Sequence, residues 1–270
     1  MKRSKFLGDL NGTARRDESG YYQWPLSDTP EAKRYISVTS VLSVLNKPGL
    51  NRWYASKERE YVASRIEAVY RGEIKGKELL AELRDDKGWK PASETFRNMR
   101  AGLGSAVHHA ITKYVLAREA GTVLAWQDEV KSVQPFMQSF HKWFEQEKPE
   151  YHFVEGPVFN EALGYAGTSD ALVEFRDGTF ILDYKISPET NKDHALQVAA
   201  YRKADFIGIP ATGQQVPMPK TNGGKILLVH ENGCKLFAHK GDEREFDMFR
   251  AALDLWRWRN TEYSQPKEEW

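Results

Sequence analysis

Two aspartates and a lysine lie at the ends of two neighbouring strand-like runs in the second half of the sequence. Residues 171–175 read as one strand and residues 179–185 as the next, with a short turn between them. Asp183 and Lys185 are two residues apart and so share a face of the second strand, while Asp170 directly precedes the first. Carboxylates beside an ammonium group suit phosphodiester hydrolysis, because the acids can hold a divalent metal ion while the lysine offsets developing phosphate charge.

Taken alone, these motifs are weak signals. An Asp-x-Lys sequence at a strand end usually marks only the solvent-exposed end of the strand, and a Gly-x-x-Asp sequence is weaker evidence of a site still. The chemical interpretation gains support because other polar residues recur at matching positions. Gln197 and Tyr201 are one helical turn apart on a predicted helix over residues 193–206, and so share a face. His108 lies in a long helical pattern, and Glu155 lies in the first strand of the predicted sheet.

The order of these motifs resembles the RecB-type branch of the PD-(D/E)XK nucleases. Within that branch, the chain is most similar to the mitochondrial genome maintenance exonuclease group and related phage exonucleases. The segment over residues 37–42, followed by Asn51-Arg52-Trp53, also resembles the entry region of that group, and the resemblance spans about residues 37–263. The motifs that carry it are Gly104 and His108, Glu155, Gly167 and Asp170, Asp183-Tyr184-Lys185, and Gln197 and Tyr201.

The resemblance implies a metal-dependent nuclease acting on DNA, usually on single strands or frayed ends. We predict Asp170, Asp183 and the backbone carbonyl of Tyr184 as metal ligands, and an oxygen-rich site of this kind favours Mg²⁺ or Mn²⁺. His108 would add an imidazole, which makes Mn²⁺ more competitive. An isolated helical histidine is more often a core or cap residue, and only the spacing from Gly104 together with the family match favours the ligand role.

The remaining site residues are given electrostatic or supporting roles. Lys185 is predicted to position the attacking water and to offset charge on the scissile phosphate. Glu155 is predicted either to contact the metal ligands rather than the metal itself, or to be a ligand of a second metal ion. The alternative is a salt bridge at a strand end. Gln197 is predicted to orient Lys185 or the water, or to contact a phosphate, with Tyr201 supporting the same face, and for both residues helical packing is an equal alternative. Ser187 can donate to a phosphate, although a loop serine has many other uses.

Composition limits the other function classes. The chain has 270 residues, of which 40% are hydrophobic and 29% are charged, which is enough for one substantial core. A formal charge of +1 gives no overall basic field, so affinity for DNA has to come from a local patch. Several RecB-type relatives hold an iron–sulfur cluster through four cysteines, but Cys234 is the only cysteine here, so we expect none.

Location can also be predicted. A single cysteine fits a reducing cytoplasm, and no apolar run approaches the roughly 18 residues of a membrane span. Residues 1–10 are basic but lack the apolar stretch of a signal peptide. We therefore expect a cytoplasmic protein of a bacterium or a phage-infected cell, without membrane association. Its expected partners are DNA and unidentified replication or recombination proteins.

The predicted fold is α/β, with a PD-(D/E)XK core in which a mixed central sheet is flanked by helices, after an N-terminal helical portion. We predict a polar arm over residues 1–36, either a loose arm or a small hairpin packed by its aromatics, with a base-stacking arm as the functional alternative. A helical portion over 37–147 is predicted to contribute His108, and the sheet core with a C-terminal helix follows over 148–270. Residues 37–270 are expected to form one compact unit.

Element boundaries follow from caps and periodicity. Thr39 or Ser40 is predicted to cap a first short helix and Asn51 the next. Further helices are expected over residues 75–85, 93–119, 123–147 and 243–263, with a loop over 211–224. Strands are expected over residues 151–159, 165–175, 179–185, 225–229 and 235–239.

The function that these observations predict is a DNA exonuclease with a preference for single strands. A helical portion that covers the metal centre would admit a flexible strand more readily than a duplex roughly 20 Å across. Two alternatives remain open: a structure-specific DNA endonuclease of the same fold, and a DNA-binding module that has lost the chemistry.

Overall fold

The fold is described here from a computed structural model, which covers residues 16–25, 32–85, 91–239 and 241–261. The predicted arm over residues 1–36 therefore lies only partly within the described residues. The strands are β1 (Tyr21–Trp24), β2 (Lys33–Ser37), β3 (Glu150–Asn160), β4 (Tyr165–Phe175), β5 (Gly178–Lys185), β6 (Phe206–Ile209), β7 (Gln214–Pro217), β8 (Gly223–His230) and β9 (Gly233–His239). The helices are α1 (Val38–Leu42), α2 (Pro48–Tyr70), α3 (Gly76–Arg84), α4 (Ala92–Glu119), α5 (Gln134–Glu147), α6 (Lys192–Arg202) and α7 (Glu243–Arg259), with a 3₁₀ turn at Trp126–Asp128.

Within the described residues, nine strands form one mixed sheet. Its main path runs β7-β6-β3-β4-β5-β8-β9, and β2 joins it by pairing with β4 while β1 pairs with β2. The β2–β4 and β5–β8 pairs are parallel, and the other pairs are antiparallel. The predicted α/β class is thus confirmed, with an N-terminal helical part followed by a mixed sheet with flanking helices.

The centre of the sheet is apolar on both faces. Ile181 and Leu182 of β5 and Ile226 and Leu227 of β8 are fully buried, as expected for strands covered on two sides. Helix α6 contacts β5 and β8, and α5 contacts β8 and β9. The adjoining strands β5 and β8 therefore form a rigid base for the residues at their ends.

The N-terminal hairpin β1–β2 packs by its aromatic residues, as predicted for the arm. Tyr22, Trp24 and Tyr35 are buried against Phe159 and Phe206. The rings of Phe159 and Phe206 are stacked with centroids 5.1 Å apart. This hairpin is therefore an integral part of the sheet rather than a loose arm.

Two predicted helix caps are wrong. Ser37, rather than Thr39 or Ser40, caps α1, and its Oγ accepts a hydrogen bond from the Ser40 amide at 3.0 Å. Asn51 does not cap the next helix, because α2 already begins at Pro48. Proline is favoured in a first helical turn, where its missing N–H would have no intrahelical partner.

Other predicted boundaries are also wrong. The helix predicted over residues 123–147 is interrupted, since a 3₁₀ turn covers Trp126–Asp128 and α5 begins only at Gln134. The helix predicted over residues 193–206 ends at Arg202, and β6 follows. The loop predicted over 211–224 contains β7. Short strands of four residues carry too little alternation to be separated from loops by sequence.

The described residues fall into two compact units. One contains Asn46–Ala106, and the other contains the described residues up to Leu45 and from Val107 onwards. His108 and all described strands belong to the second unit. The predicted domain boundaries at residues 36 and 147, and the single unit over 37–270, stay predictions.

Polar contacts join the helices of the smaller unit. Glu58 on α2 accepts hydrogen bonds from the amides of Ala92 and Ser93, at 3.2 and 2.9 Å, where α4 begins. Glu82 on α3 pairs with Arg65 on α2 at 2.6 Å. Carboxylates at a helix start satisfy amides that lack intrahelical partners, so Glu58 fixes the start of α4 on α2.

Candidate metal centre

The candidate site lies where β4 and β5 separate. Their ladder runs from the Phe175–Gly178 pair to the Ala171–Leu182 pair and then ends. Asp170 is the next residue on β4. Its Oδ2 accepts a hydrogen bond at 2.7 Å from the backbone N–H of Tyr184, two residues beyond the last pair on β5. A side chain thus replaces the missing ladder bond and holds the Asp170 carboxylate in the opening.

Three side chains that can ligate a metal ion converge at this opening. His108 from α4, Glu155 from β3 and Asp170 from β4 each place one ligand atom within 4.8 Å of the others. His108 Nδ1 lies 3.6 Å from Asp170 Oδ1, and these side chains are 26% and 12% exposed. One imidazole and two carboxylates form a donor set that divalent cations accept. The three residues therefore form a possible metal site, and its donors fit such an ion.

Asp183 and Lys185 share a face of β5, as predicted, and form a close ion pair. Lys185 Nζ lies 2.5 Å from Asp183 Oδ2, and the two side chains are 22% and 2% exposed. Apart from this ion pair, Oδ2 has no hydrogen-bond partner among the described residues. Asp183 is not a member of the three-residue group. Its role as a ligand, like that of the Tyr184 carbonyl, stays a prediction.

The two site aspartates have opposite pKa shifts. Burial raises the pKa of Asp183 to about 6, although Lys185 acts in the other direction. Burial also disfavours the charged form of Asp170, but His108 and Lys185 outweigh it and lower the pKa of Asp170 below its usual value. Environments that separate the pKa values of two neighbouring acids allow them different roles in one reaction.

Lys185 is held in its charged form. Burial would lower the pKa of Lys185, but Asp183 and Asp170 outweigh burial and raise it above its usual value. An ammonium group that stays protonated at neutral pH cannot accept a proton from water. The role that the electrostatics support is stabilisation of negative charge.

Glu155 adopts an unusual backbone conformation inside β3. Its φ is 50°, in the left-handed region that residues other than glycine rarely occupy. The next residue, Gly156, lies under the ring of Phe153, and a Cβ there would be 2.4 Å from Phe153 Cε2. Strained backbone of this kind is concentrated at functional sites, and here it occurs at a member of the candidate metal group.

Gln197 and Tyr201 on α6 support the strand that carries Asp170. Gln197 Nε2 donates a hydrogen bond to the Tyr201 hydroxyl at 2.9 Å. The Tyr201 ring lies directly on Gly167 of β4, where a Cβ would be 2.4 Å from Tyr201 Cε1. Glycine at position 167 of the Gly-x-x-Asp motif is therefore explained by this close approach. Tyr201 is only 2% exposed, which favours its predicted supporting role.

Ser187 makes a local bond. Its Oγ donates to the carbonyl of Glu189 at 2.8 Å in the segment after β5. This contact holds the turn between β5 and α6, and a substrate role for Ser187 stays a prediction.

One pair of residues near the site was missed by sequence reasoning. The hydroxyl groups of Tyr22 and Thr168 lie 3.0 Å apart, although the residues are 146 positions apart in sequence. Thr168 is two residues before Asp170 and therefore shares its face of β4. Burial raises the pKa of Tyr22, and Glu155 raises it further, which places Tyr22 within electrostatic reach of that carboxylate. No local pattern indicates such a pair, because it depends on how the hairpin β1–β2 joins the sheet.

Compared with known proteins, the chain matches no protein-family model and no curated protein. Of the features that the nuclease resemblance predicts, the structure shows a mixed α/β fold and a largely buried cluster of acids and a histidine. None of the described helices has the length and hydrophobicity that a bilayer-spanning segment needs.

Proposed function

We propose that this chain is a metal-dependent deoxyribonuclease that hydrolyses phosphodiester bonds from the ends of single-stranded or frayed DNA, in replication, recombination or repair. The observation that carries the proposal is the convergence of His108, Glu155 and Asp170 at the opening between β4 and β5. The Asp183–Lys185 pair lies on β5, where the Tyr184 amide between them donates a hydrogen bond to Asp170. Metal-ligating acids beside a protonated lysine provide what phosphodiester hydrolysis requires.

The residues that would hold the metal ion are His108, Glu155 and Asp170, with Asp183 and the Tyr184 carbonyl as further proposed ligands. Carboxylate and carbonyl oxygens with one imidazole suit Mg²⁺ or Mn²⁺. When bound, such an ion polarises the phosphoryl group and lowers the pKa of a coordinated water.

Each side chain has a distinct task in the proposed reaction. Lys185, which stays protonated, orients the attacking water and offsets the charge that builds on the scissile phosphate. Asp183 is largely ionised at neutral pH because its pKa is about 6. Its carboxylate can then balance the lysine charge and bind the ion. Gln197 and Tyr201 hold the strand of Asp170 in place from the side of α6.

Digestion of end-labelled DNA tests the proposed activity. Linear single-stranded DNA should be degraded with Mg²⁺ or Mn²⁺ and remain intact with chelator, and blunt duplex should be degraded more slowly. Asp170→Asn protein, purified in parallel, is the control for a contaminating nuclease. Digestion that continues in chelator would contradict the metal-dependent mechanism. If the protein degrades no DNA with either Mg²⁺ or Mn²⁺, a DNA-binding module that lacks the chemistry would be favoured.

A closed single-stranded circle separates the exonuclease from the endonuclease. An enzyme that requires an end leaves the circle intact while it degrades the same molecule after linearisation. Rapid nicking of the circle by wild-type protein, but not by Asp170→Asn protein, would replace the proposed exonuclease with a structure-specific endonuclease.

A further inference from the structure

Tyr184 contacts two members of the candidate metal group through different parts of the residue. Its backbone N–H donates to Asp170 Oδ2 at 2.7 Å. Its ring meets the imidazole of His108 edge to face, with centroids 5.8 Å apart and an angle of 85° between the planes. One residue therefore touches a ligand from β4 and a ligand from α4.

The Tyr184 ring is itself held firmly. It is 1% exposed, and its hydroxyl lies 2.8 Å from the hydroxyl of Tyr151, which is 3% exposed. Phe140 from α5 meets the ring edge to face at 5.9 Å and 90°. Phe144 stacks on Tyr151 at 6.0 Å. Contacts on several sides leave the ring one orientation.

The His108 side chain is more exposed than the Tyr184 ring. It is 26% exposed, and Nδ1 lies 3.6 Å from Asp170 Oδ1, beyond the usual length of a hydrogen bond. A histidine ligand is normally oriented by a group outside the metal's own ligands, and loss of such a group typically weakens metal binding. The edge contact with Tyr184 can serve this purpose.

We propose that Tyr184 is a positioning residue that orients the imidazole of His108 for metal binding, with the Tyr151 hydroxyl fixing its ring. The inference rests on the proposed metal site and adds a role for the Tyr184 side chain, which acts through His108 rather than on the substrate. Because the backbone N–H is present in every variant at position 184, side-chain substitutions test the ring separately from the contact with Asp170.

The experiment is pulsed electron paramagnetic resonance of the full chain loaded with Mn²⁺, in which a bound imidazole gives a ¹⁴N coupling. Wild-type protein should show the coupling, and His108→Gln should abolish it. Tyr184→Leu should lose most of the coupling and bind Mn²⁺ about 10- to 100-fold more weakly, the usual effect of removing an orienting group. Tyr151→Phe, which keeps both rings, should weaken Mn²⁺ binding severalfold.

Trp143→Leu is the matched control. It removes a buried ring from the same aromatic cluster, one that contacts Phe140 and Phe175, and should leave the ¹⁴N coupling and the Mn²⁺ affinity of wild type. Wild-type coupling in both Tyr184→Leu and Tyr151→Phe, or an equal loss in Trp143→Leu, would overturn the positioning role. If Tyr184→Leu does not fold, the comparison of Tyr151→Phe with Trp143→Leu decides. No ¹⁴N coupling in wild-type protein would instead refute His108 as a ligand, and with it the proposed site.

Discussion

The β4–β5 hairpin has a lysine–aspartate pair at each end, and the two pairs differ in which partner is buried. At the open end, Asp183 is 2% exposed and Lys185 is 22% exposed. At the turn, Asp177 is 64% exposed and its partner Lys225, on β8, is 7% exposed. The same two residue types therefore meet in opposite surroundings within one part of the sheet.

The surroundings determine what each pair can do. Both Asp177 oxygens accept hydrogen bonds from Lys225 Nζ, at 2.7 and 2.9 Å, and the ammonium lies 4.1 and 4.0 Å from the ring centroids of Phe175 and Phe180. The Lys225 ammonium is thus bonded to one carboxylate and packed against two rings. Its hydrogen bonds lower the pKa of Asp177.

At the open end the acid is the buried partner and remains incompletely bonded. Burial raises the pKa of Asp183 to about 6, and its Oδ2 has no hydrogen-bond partner in the described part of the chain. A buried carboxylate is costly unless cations or donors compensate it, and Lys185 supplies one such contact, to Oδ2. The pair at the turn is thus bonded through both carboxylate oxygens, whereas the buried acid at the open end has fewer contacts, which supports the ligand role proposed for Asp183.

The same substitution at the two ends should have very different effects on activity. Asp170→Asn, at the open end, should reduce DNA hydrolysis by roughly 10³-fold or more, the scale seen when one member of an interdependent catalytic group is lost. Asp183→Ala should do likewise. Asp177→Asn, at the turn, should keep the wild-type rate. Single-turnover digestion of end-labelled single strands measures this, with circular dichroism to confirm folding, and a wild-type rate in Asp170→Asn would show that the site is wrongly assigned.

The two lysines should separate chemistry from stability. Lys185→Ala should lose on the order of 10²–10³ in rate, the usual effect of deleting one preorganised electrostatic group, while still binding Mn²⁺ and DNA. Lys225→Met should turn over normally at temperatures where it is folded. Unchanged turnover with weaker DNA binding in Lys185→Ala would mean that Lys185 merely anchors a phosphate.

The pH dependence of metal binding should follow Asp183 and not Asp177. A carboxyl group with a pKa raised to about 6 is mostly protonated at pH 5, and a proton on a ligand competes with the metal ion. Burial lowers the pKa of His108, but Asp170 outweighs this and raises it, so His108 acts in the same direction. Mn²⁺ affinity should therefore fall by about tenfold or more between pH 7 and pH 5.

Asp177→Asn is the control for this titration. The pKa of Asp177 is lowered, so this acid stays ionised over the whole interval and its removal should leave the profile unchanged. Equal Mn²⁺ affinity at pH 5 and pH 7, measured by calorimetry, would exclude both Asp183 and His108 as ligands that must lose a proton.

The sequence predicted the open end of the hairpin better than its surroundings. Asp170, Asp183 and Lys185 could be placed because strand alternation and a short turn are local properties that sequence displays. The convergence of His108 and Glu155 on Asp170 was suggested by family resemblance and by no local pattern. The α/β class was predictable for the same reason as the strands, since the apolar runs of β5 and β8 are continuous.

What could not be predicted depends on contacts between distant segments. The Tyr22–Thr168 pair joins residues 146 positions apart, and the pair of Lys225 and Asp177 spans 48. The left-handed backbone conformation of Glu155 could not be predicted from the sequence either, because glutamate has no preference for that conformation. In each case tertiary packing, rather than local propensity, determines the structure.

The smallest expected effect is on stability, at the turn. Lys225→Met keeps an unbranched apolar side chain between Phe175 and Phe180 but removes the charge, so it loses the cation–π contacts and the bonds to Asp177. Asp177 is left in solvent rather than buried, which limits the loss to about 1–2 kcal/mol in free energy of unfolding. Lys113→Met breaks the pair with Glu129, in which the lysine is 46% exposed, against 7% for Lys225, and it should change stability by less than about 1 kcal/mol. Urea unfolding measures both as shifts of the midpoint at constant slope. Equal shifts would mean that the buried lysine at the turn contributes no more than a surface ion pair, and the contrast between the two ends of the hairpin would then rest on Asp183 alone.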